Sequence, residues 1–156
     1  MTVGFDELSE QVRATRTSSA GWHIQRLAGQ LDRAMNRALE PHGLTVQSFA
    51  IVMALVEQDG LSQTQIGERF SAPAYAISRA IDSLERDGYL ERRTDPRSRR
   101  SNTVHATGKA KALIPTLLTI IDGVNGGLMA RLSSAERSQM IALLSKVLAD
   151  NSLADV

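Results

Sequence analysis

A chain of 156 residues fits one domain and buries roughly 68–70% of its unfolded surface, enough for a real core. It has no cysteine, which excludes a disulfide framework, a thiolate metal site and a thiol redox switch. The net charge is only +1, yet residues 86–111 hold eight basic against three acidic side chains, a local +5 that leaves −4 elsewhere. That imbalance points to a polyanionic partner at one face, although a solvated arginine-rich loop has the same composition.

Met1 to Glu10 carries acidic residues and no apolar run, so no signal peptide is expected. Residues 1–20 read as a flexible N-terminal segment ending in Thr17-Ser18-Ser19-Ala20-Gly21. From Gly21, the three- and four-residue recurrence of Ile24, Leu27, Ala28, Leu31, Ala34, Met35 and Ala38 predicts an amphipathic helix. Pro41-His42-Gly43 stops it. Thr45 can cap a second helix through Phe49, Val52, Met53 and Val56, which ends at Asp59-Gly60.

Ser62-Gln63-Thr64-Gln65 reads as a capping box that opens a short helix to Phe70. Ser71-Ala72 makes a turn, and Pro73 suits the first turn of the next helix, whose buried face is Ile77, Ile81 and Leu84. After Gly88, residues 89–93 and 102–106 look like two strands flanking an arginine-rich tip. Thr107 can cap a long helix to about Arg131, its straightness interrupted by Pro115 and by Gly123, Gly126 and Gly127. Ser133-Ser134-Ala135-Glu136 is a second capping box, followed by Met140, Leu143, Leu144 and Val147.

The predicted class is mainly α with a small β-hairpin wing, in the order α-α-α-α-β-β-α-α. Residues 45–106 form a winged helix-turn-helix, in which one helix enters the major groove and a basic hairpin beside it reaches phosphate or the minor groove. Residues 21–44 and 107–150 are left for a helical dimerisation platform. Their apolar stripes (Leu113, Leu117, Ile120, Ile121 and Val124, then Met140, Leu143, Leu144 and Val147) exceed what the DNA-binding lobe needs. Ala110 to Leu118 is the longest mostly apolar stretch, far short of the ~20 residues that span a bilayer. The reading therefore places the chain in the cytoplasm with no membrane partner.

On the exposed side of the predicted recognition helix stand Ala74, Tyr75, Ser78 and Arg79. Alanine and tyrosine can touch thymine methyls or sugar, serine can bond base or phosphate, and arginine takes guanine or phosphate. Tyr75 could equally pack on Phe70. Gln63, Thr64 and Gln65 open a helix whose free N–H groups suit a phosphate, or they only cap it. His23, His42 and His105 are too scattered for a metal site, and no cofactor is implied. Motifs for hydrolytic, phosphate-loop or thiol catalysis are absent, so the chain does not read as an enzyme.

Pro41-His42-Gly43-Leu44-Thr45, Leu61 through Arg69, Ser78-Arg79, Leu84-Glu85-Arg86-Asp87-Gly88-Tyr89-Leu90, Arg92 and the tip Asp95-Pro96-Arg97-Ser98-Arg99-Arg100 recur in that order. With Leu132-Ser133-Ser134-Ala135-Glu136-Arg137, the whole resembles the MarR family of dimeric winged-helix transcription regulators over roughly residues 20–150. The resemblance implies a homodimer on a pseudo-palindromic double-stranded DNA site, a repressor released by a small aromatic or anionic molecule. It implies that wing residues Arg93, Asp95, Arg97, Arg99 and Arg100 serve DNA. Arg97 would enter the minor groove while Asp95, paired with Arg99 or Arg100, holds the loop's shape. Ser98 stands where the family usually has a second acid, which thins that network. Trp22, His23, Arg26, His42, Phe49 and Met53 fall near the family's ligand region, although each has an equally good structural role. Ala50 stands where the urate-responsive branch has Asp, against urate. The competing reading is a helical sensor or protein-interaction module on the same fold without tight DNA binding.

Overall fold

The computed structural model describes residues 4–95 and 98–149, with the side chains of 95 and 98–101 outside the description. Helix α1 (Phe5–Ser18) precedes α2 (Ala20–Leu39), and Ser19 between them caps α2 by accepting the Trp22 N–H at 3.2 Å. This adds a helix ahead of Gly21, where the sequence places the first one. Asp6 and Glu7 in the first turn and Arg16 in the last suit the helix dipole. Yet α1 buries no residue, and Phe5 is 85% exposed. Three apolar residues, Phe5, Leu8 and Val12, were too few to announce it.

A 3-10 turn, Glu40–His42, ends in Gly43 at φ 67°, a left-handed conformation that glycine adopts without a Cβ clash. Thr45 caps α3 (Val46–Glu57) by accepting the Ser48 N–H at 3.1 Å. Strand β1 (Leu61–Ser62) leads into α4 (Gln63–Phe70), and α5 (Ala74–Arg86) follows a turn at Ser71, φ 48°. Strands β2 (Leu90–Asp95) and β3 (Ser98–Ala106) form the wing hairpin. All three strands make one antiparallel sheet, ordered β1-β3-β2, with Leu61 opposite Val104 and Arg92 also opposite Val104 on the other side. The register shifts between Thr94 and Asp95. β1 adds a third strand to the two predicted.

Helix α6 (Gly108–Leu128) carries Pro115 inside it without breaking, and α7 (Ser134–Ala149) closes the described chain. Leu39 of α2, Ile51, Val52 and Leu55 of α3, Ile66 of α4, Ile77 and Ile81 of α5, Val104 of β3 and Leu117 of α6 are fully buried in one cluster. Each such side chain stabilises by about 1.5–3 kcal/mol relative to exposure. The α6 stripe is thus partly spent inside the chain, since Leu113, Ile120, Ile121 and Val124 also lean on this core. The α7 stripe is not: that helix buries no residue. No single helix among the described residues is long and apolar enough to cross a membrane.

Candidate nucleic-acid interface

The capping box predicted at Ser62 forms as read: Ser62 Oγ accepts the Gln65 N–H at 3.2 Å, and Gln65 Oε1 accepts the Ser62 N–H at 2.9 Å. This commits the Gln65 side chain to the helix end. Gln63 and Thr64 instead line a hollow of about 320 Å³ with Gly67, Glu68, Ala72 and Ala74, where α4 meets the start of α5. A Cβ on Gly67 would come within 3.3 Å of the Ala72 carbonyl, so glycine permits the tight turn between the two helices. Arg69 pairs with Glu57 and ties α4 to α3.

Helix α5 is sharply two-sided. Ile77, Ile81 and Leu84 are buried, while Ala74, Tyr75 and Arg79 are exposed and Ser78 is half-buried beside them. Tyr75 is 69% exposed, so most of its side chain faces solvent. Phe70 itself leans on the core. The C-terminal end of α5 is anchored three ways. Gly88, at φ 78°, turns the chain, and the Tyr89 hydroxyl donates to the His42 carbonyl at 3.2 Å. Lys109 Nζ donates to the Asp87 carbonyl at 2.7 Å and sits 4.4 Å from the centre of the Tyr89 ring.

These contacts revise the charge count. Of the eight basic side chains between 86 and 111, Lys109 caps a helix, Arg93 pairs with Glu91, and Arg92 is held by Asp82 and Glu85. Burial works against the Arg92 charge, but hydrogen bonds and attraction from Asp82 and Glu85 outweigh it and push its pKa up. Arg97 and the side chains of Asp95, Arg99 and Arg100 lie outside the described residues, so their predicted roles stay expectations.

A further polar cluster escaped the sequence reading because its members are far apart in the chain. His105 Nδ1 lies 2.9 Å from Asp59 Oδ2, its Nε2 lies 2.9 Å from Thr103 Oγ1, and the Ala106 N–H donates to Asp59 Oδ1 at 3.0 Å. Asp59 thereby ties the loop after α3 to the outgoing wing strand. A Cβ on Gly60 would meet the His105 ring at 3.2 Å, so the close approach favours glycine there. The one signal in the sequence was the Asp-Gly pair closing α3, which reads equally as a plain turn.

The six residues predicted near a ligand are not gathered in one place. Trp22, His23 and Arg26 stand at the start of α2, and His42 lies beyond its far end, about 30 Å away for a 20-residue helix. Phe49 and Met53 lean on the core from α3. The Trp22 ring has the Arg16 and Arg26 guanidinium carbons 5.5 and 4.8 Å from its centre and packs edge-on against His23. With Leu8, Val12 and Arg16 it lines an open hollow of about 590 Å³ between α1 and α2.

The family model described as MarR family matches residues 42–101. The HTH-type transcriptional regulator YkoM of Bacillus subtilis (strain 168) is 31% identical over 110 residues, covering 70% of this chain and 71% of that protein. The HTH-type transcriptional repressor Rv2887 of Mycobacterium tuberculosis is 25% identical, covering 83% and 94%. Among solved structures, a MarR transcriptional regulator from Methanosarcina mazei Go1 superposes with TM-score 0.78 at 26% identity, covering 87% and 97% of the two chains. A mutant MarR from E. coli complexed with operator DNA shares the fold with TM-score 0.76 at 22% identity, covering 86% and 96%. The two-sided α5, its helix-turn-helix entry and the adjoining wing agree with these likenesses: the chain belongs to the MarR family of winged-helix transcriptional regulators and is a DNA-binding regulator, not an enzyme.

Proposed function

We propose that the protein binds a pseudo-palindromic site on double-stranded DNA as a homodimer and represses transcription, with α5 in the major groove and the wing over the adjacent minor groove. One observation carries this reading. Ala74, Tyr75, Ser78 and Arg79 line the outward side of a helix whose inner side, Ile77, Ile81 and Leu84, is locked into the core. A rigid helix with a small, nearly acid-free outer surface at its N-terminal half suits a groove. With no Asn, Gln or Lys at those four positions, phosphate and shape contacts carry much of the affinity. Arg97 enters the minor groove and Asp95 orders the wing; Gln63 and Thr64 meet phosphate near the start of α4. The operator-bound E. coli structure and the repressor name of the mycobacterial relative support the assignment.

Release by a small aromatic or anionic molecule belongs to the same proposal. The Trp22 hollow between α1 and α2, with two guanidinium groups near an indole, is the surface that suits such a ligand. A thermal-shift screen of aromatic acids and phenols tests it: a releasing compound both stabilises the protein and lowers DNA affinity. For the DNA reading itself, a mobility-shift titration at two salt concentrations is the test. The expected result is a steep loss of affinity with salt and a selected consensus with two half-sites about 10–10.5 base pairs apart. A flat salt response, or a single unpaired half-site, overturns it.

A further inference from the structure

Arg92 belongs by composition to the basic patch, but its contacts run inward. It sits in mid-strand on β2, opposite the fully buried Val104, and its side chain is 22% exposed. Its backbone N–H donates to Glu85 Oε1 at 2.9 Å, its Nη1 to Glu85 Oε2 and its Nη2 to Asp82 Oδ1. Asp82 and Glu85 are three residues apart on α5, and Asp82 follows Arg79 by three, on the same outward side of the helix. One residue of the wing therefore grips two consecutive turns of the helix proposed to enter the groove, and it does so through both backbone and side chain.

Two consequences follow from chemistry. The planar guanidinium presents its donors in a fixed fork, so binding two carboxylates at once fixes direction as well as distance. Asp82 and Glu85, left unpaired, would place one negative charge a turn away from Arg79 and a second a further turn along α5, on a surface meant for phosphate. Arg93 lies beside Arg92 in sequence and pairs with Glu91 on its own strand, so it supplies no such link to α5.

We propose that Arg92 is a positioning residue for DNA recognition: by clamping Asp82 and Glu85 it sets the angle between α5 and the wing, so that both dock on one duplex. It makes no contact with DNA. This inference rests on the reading of α5 and the wing as the DNA-binding elements, and its test separates the two.

The discriminating variant is Arg92→Ala combined with Asp82→Asn and Glu85→Gln. This removes the clamp while making the surface one charge more positive than in the native protein. A residue acting only as a charge shield would leave the triple variant binding as well as the native protein or better. A phosphate-contacting Arg92 would lower the salt slope by roughly 0.9 per half-site. The clamp predicts otherwise: affinity for the selected site falls roughly tenfold, within the range for members of one salt-bridge network, with the salt slope unchanged and random-sequence DNA bound no worse. Arg92→Lys, which keeps the charge but cannot fork, should fall between.

A measurement without DNA guards against failure of the functional reading. The chain has no cysteine, so nitroxides placed by Arg86→Cys and Asn102→Cys report only the α5-to-wing distance when labelled chains are diluted into unlabelled protein. The distance distribution should be narrow in the parent and clearly broader in the triple variant. Equal widths, tighter binding by the triple variant, or a lowered salt slope would each overturn the proposal. If the parent protein failed to bind DNA while the widths still differed, the functional reading would fall and the clamp would remain as a structural link.

Discussion

Helices α5 and α7 have similar lengths and opposite surroundings. In α5, Ile77, Ile81 and Leu84 vanish into the core, and what remains outside is small or polar apart from Tyr75. In α7, Ile141, Leu143, Leu144, Val147 and Leu148 are all exposed, and α1 at the other end of the chain likewise buries nothing. Isolated helices shorter than ~12–15 residues are marginal in water; α1 and α7, of 14 and 16 residues, stand near that limit and bury nothing among the described residues. The winged lobe is specified by its own core; the chain ends are specified by what they meet, which in the proposed dimer is a second copy.

The largest effect should come from breaking the lobe. Ile81→Ala removes most of a fully buried side chain and should cost about 2–5 kcal/mol in urea unfolding, whatever the protein concentration. Leu144→Glu with Val147→Glu should leave the dilute chain's unfolding nearly unchanged and abolish dimer sedimentation at micromolar concentration. The native protein should show a melting temperature that rises with concentration, and the double variant should not. A native protein that sediments as a monomer, or a double variant as unstable as Ile81→Ala at every concentration, would erase the contrast between the two regions.

Smaller effects are expected at the DNA surface, where the lobe's stability is untouched. Arg79→Ala should cost about 1–3 kcal/mol on a selected site if it reads a base, and equally on random DNA if it holds phosphate. Arg97→Ala should lower the salt slope by roughly 0.9 per half-site. Asp95→Ala should weaken binding although it removes a negative charge; tighter binding would mean that Asp95 only repels phosphate. Unchanged affinity in both arginine variants would remove this surface from DNA recognition.

What was legible in the sequence was local. Both capping boxes, Ser62 with Gln65 and Ser133 with Glu136, join residues three apart, and both form. The α5 pattern and the wing hairpin follow from periods of 3.6 and 2 with Gly88 between them. What escaped was set at long range or by solvent. Strand β1 is two residues long and exists because β3 lies beside it. Arg92 finds partners 7 and 10 residues back, and Asp59 finds His105 46 residues on. Arg92 and Lys109 look like free cations until the fold supplies their acceptors. Trp22 and His42 of the predicted ligand group lie apart because the length of α2 separates them, His42 standing in the turn beyond its far end.

The smallest predicted effect concerns the strap that joins the lobe's loop to the wing. Burial opposes ionisation of Asp59, but hydrogen bonds from the His105 ring and the Ala106 N–H, with the nearby charges of His105 and Lys111, outweigh it and hold its carboxyl below the usual aspartate range. A carboxyl lowered in the folded state binds its proton more readily in the unfolded chain, so its contribution is present in full above the unfolded value of ~3.9. It is lost as pH falls through the lower, folded value. Asp59→Asn keeps an acceptor for the Ala106 N–H but loses the charge beside His105, and with a side chain 45% exposed the cost should be only about 0.5–1 kcal/mol. Urea unfolding of both proteins should show that gap between pH 5 and 6 and its closure on acidification below ~3.9. A gap that stayed the same down to acid pH would mean that Asp59 is held for its hydrogen bonds alone and that its charge does nothing for the wing.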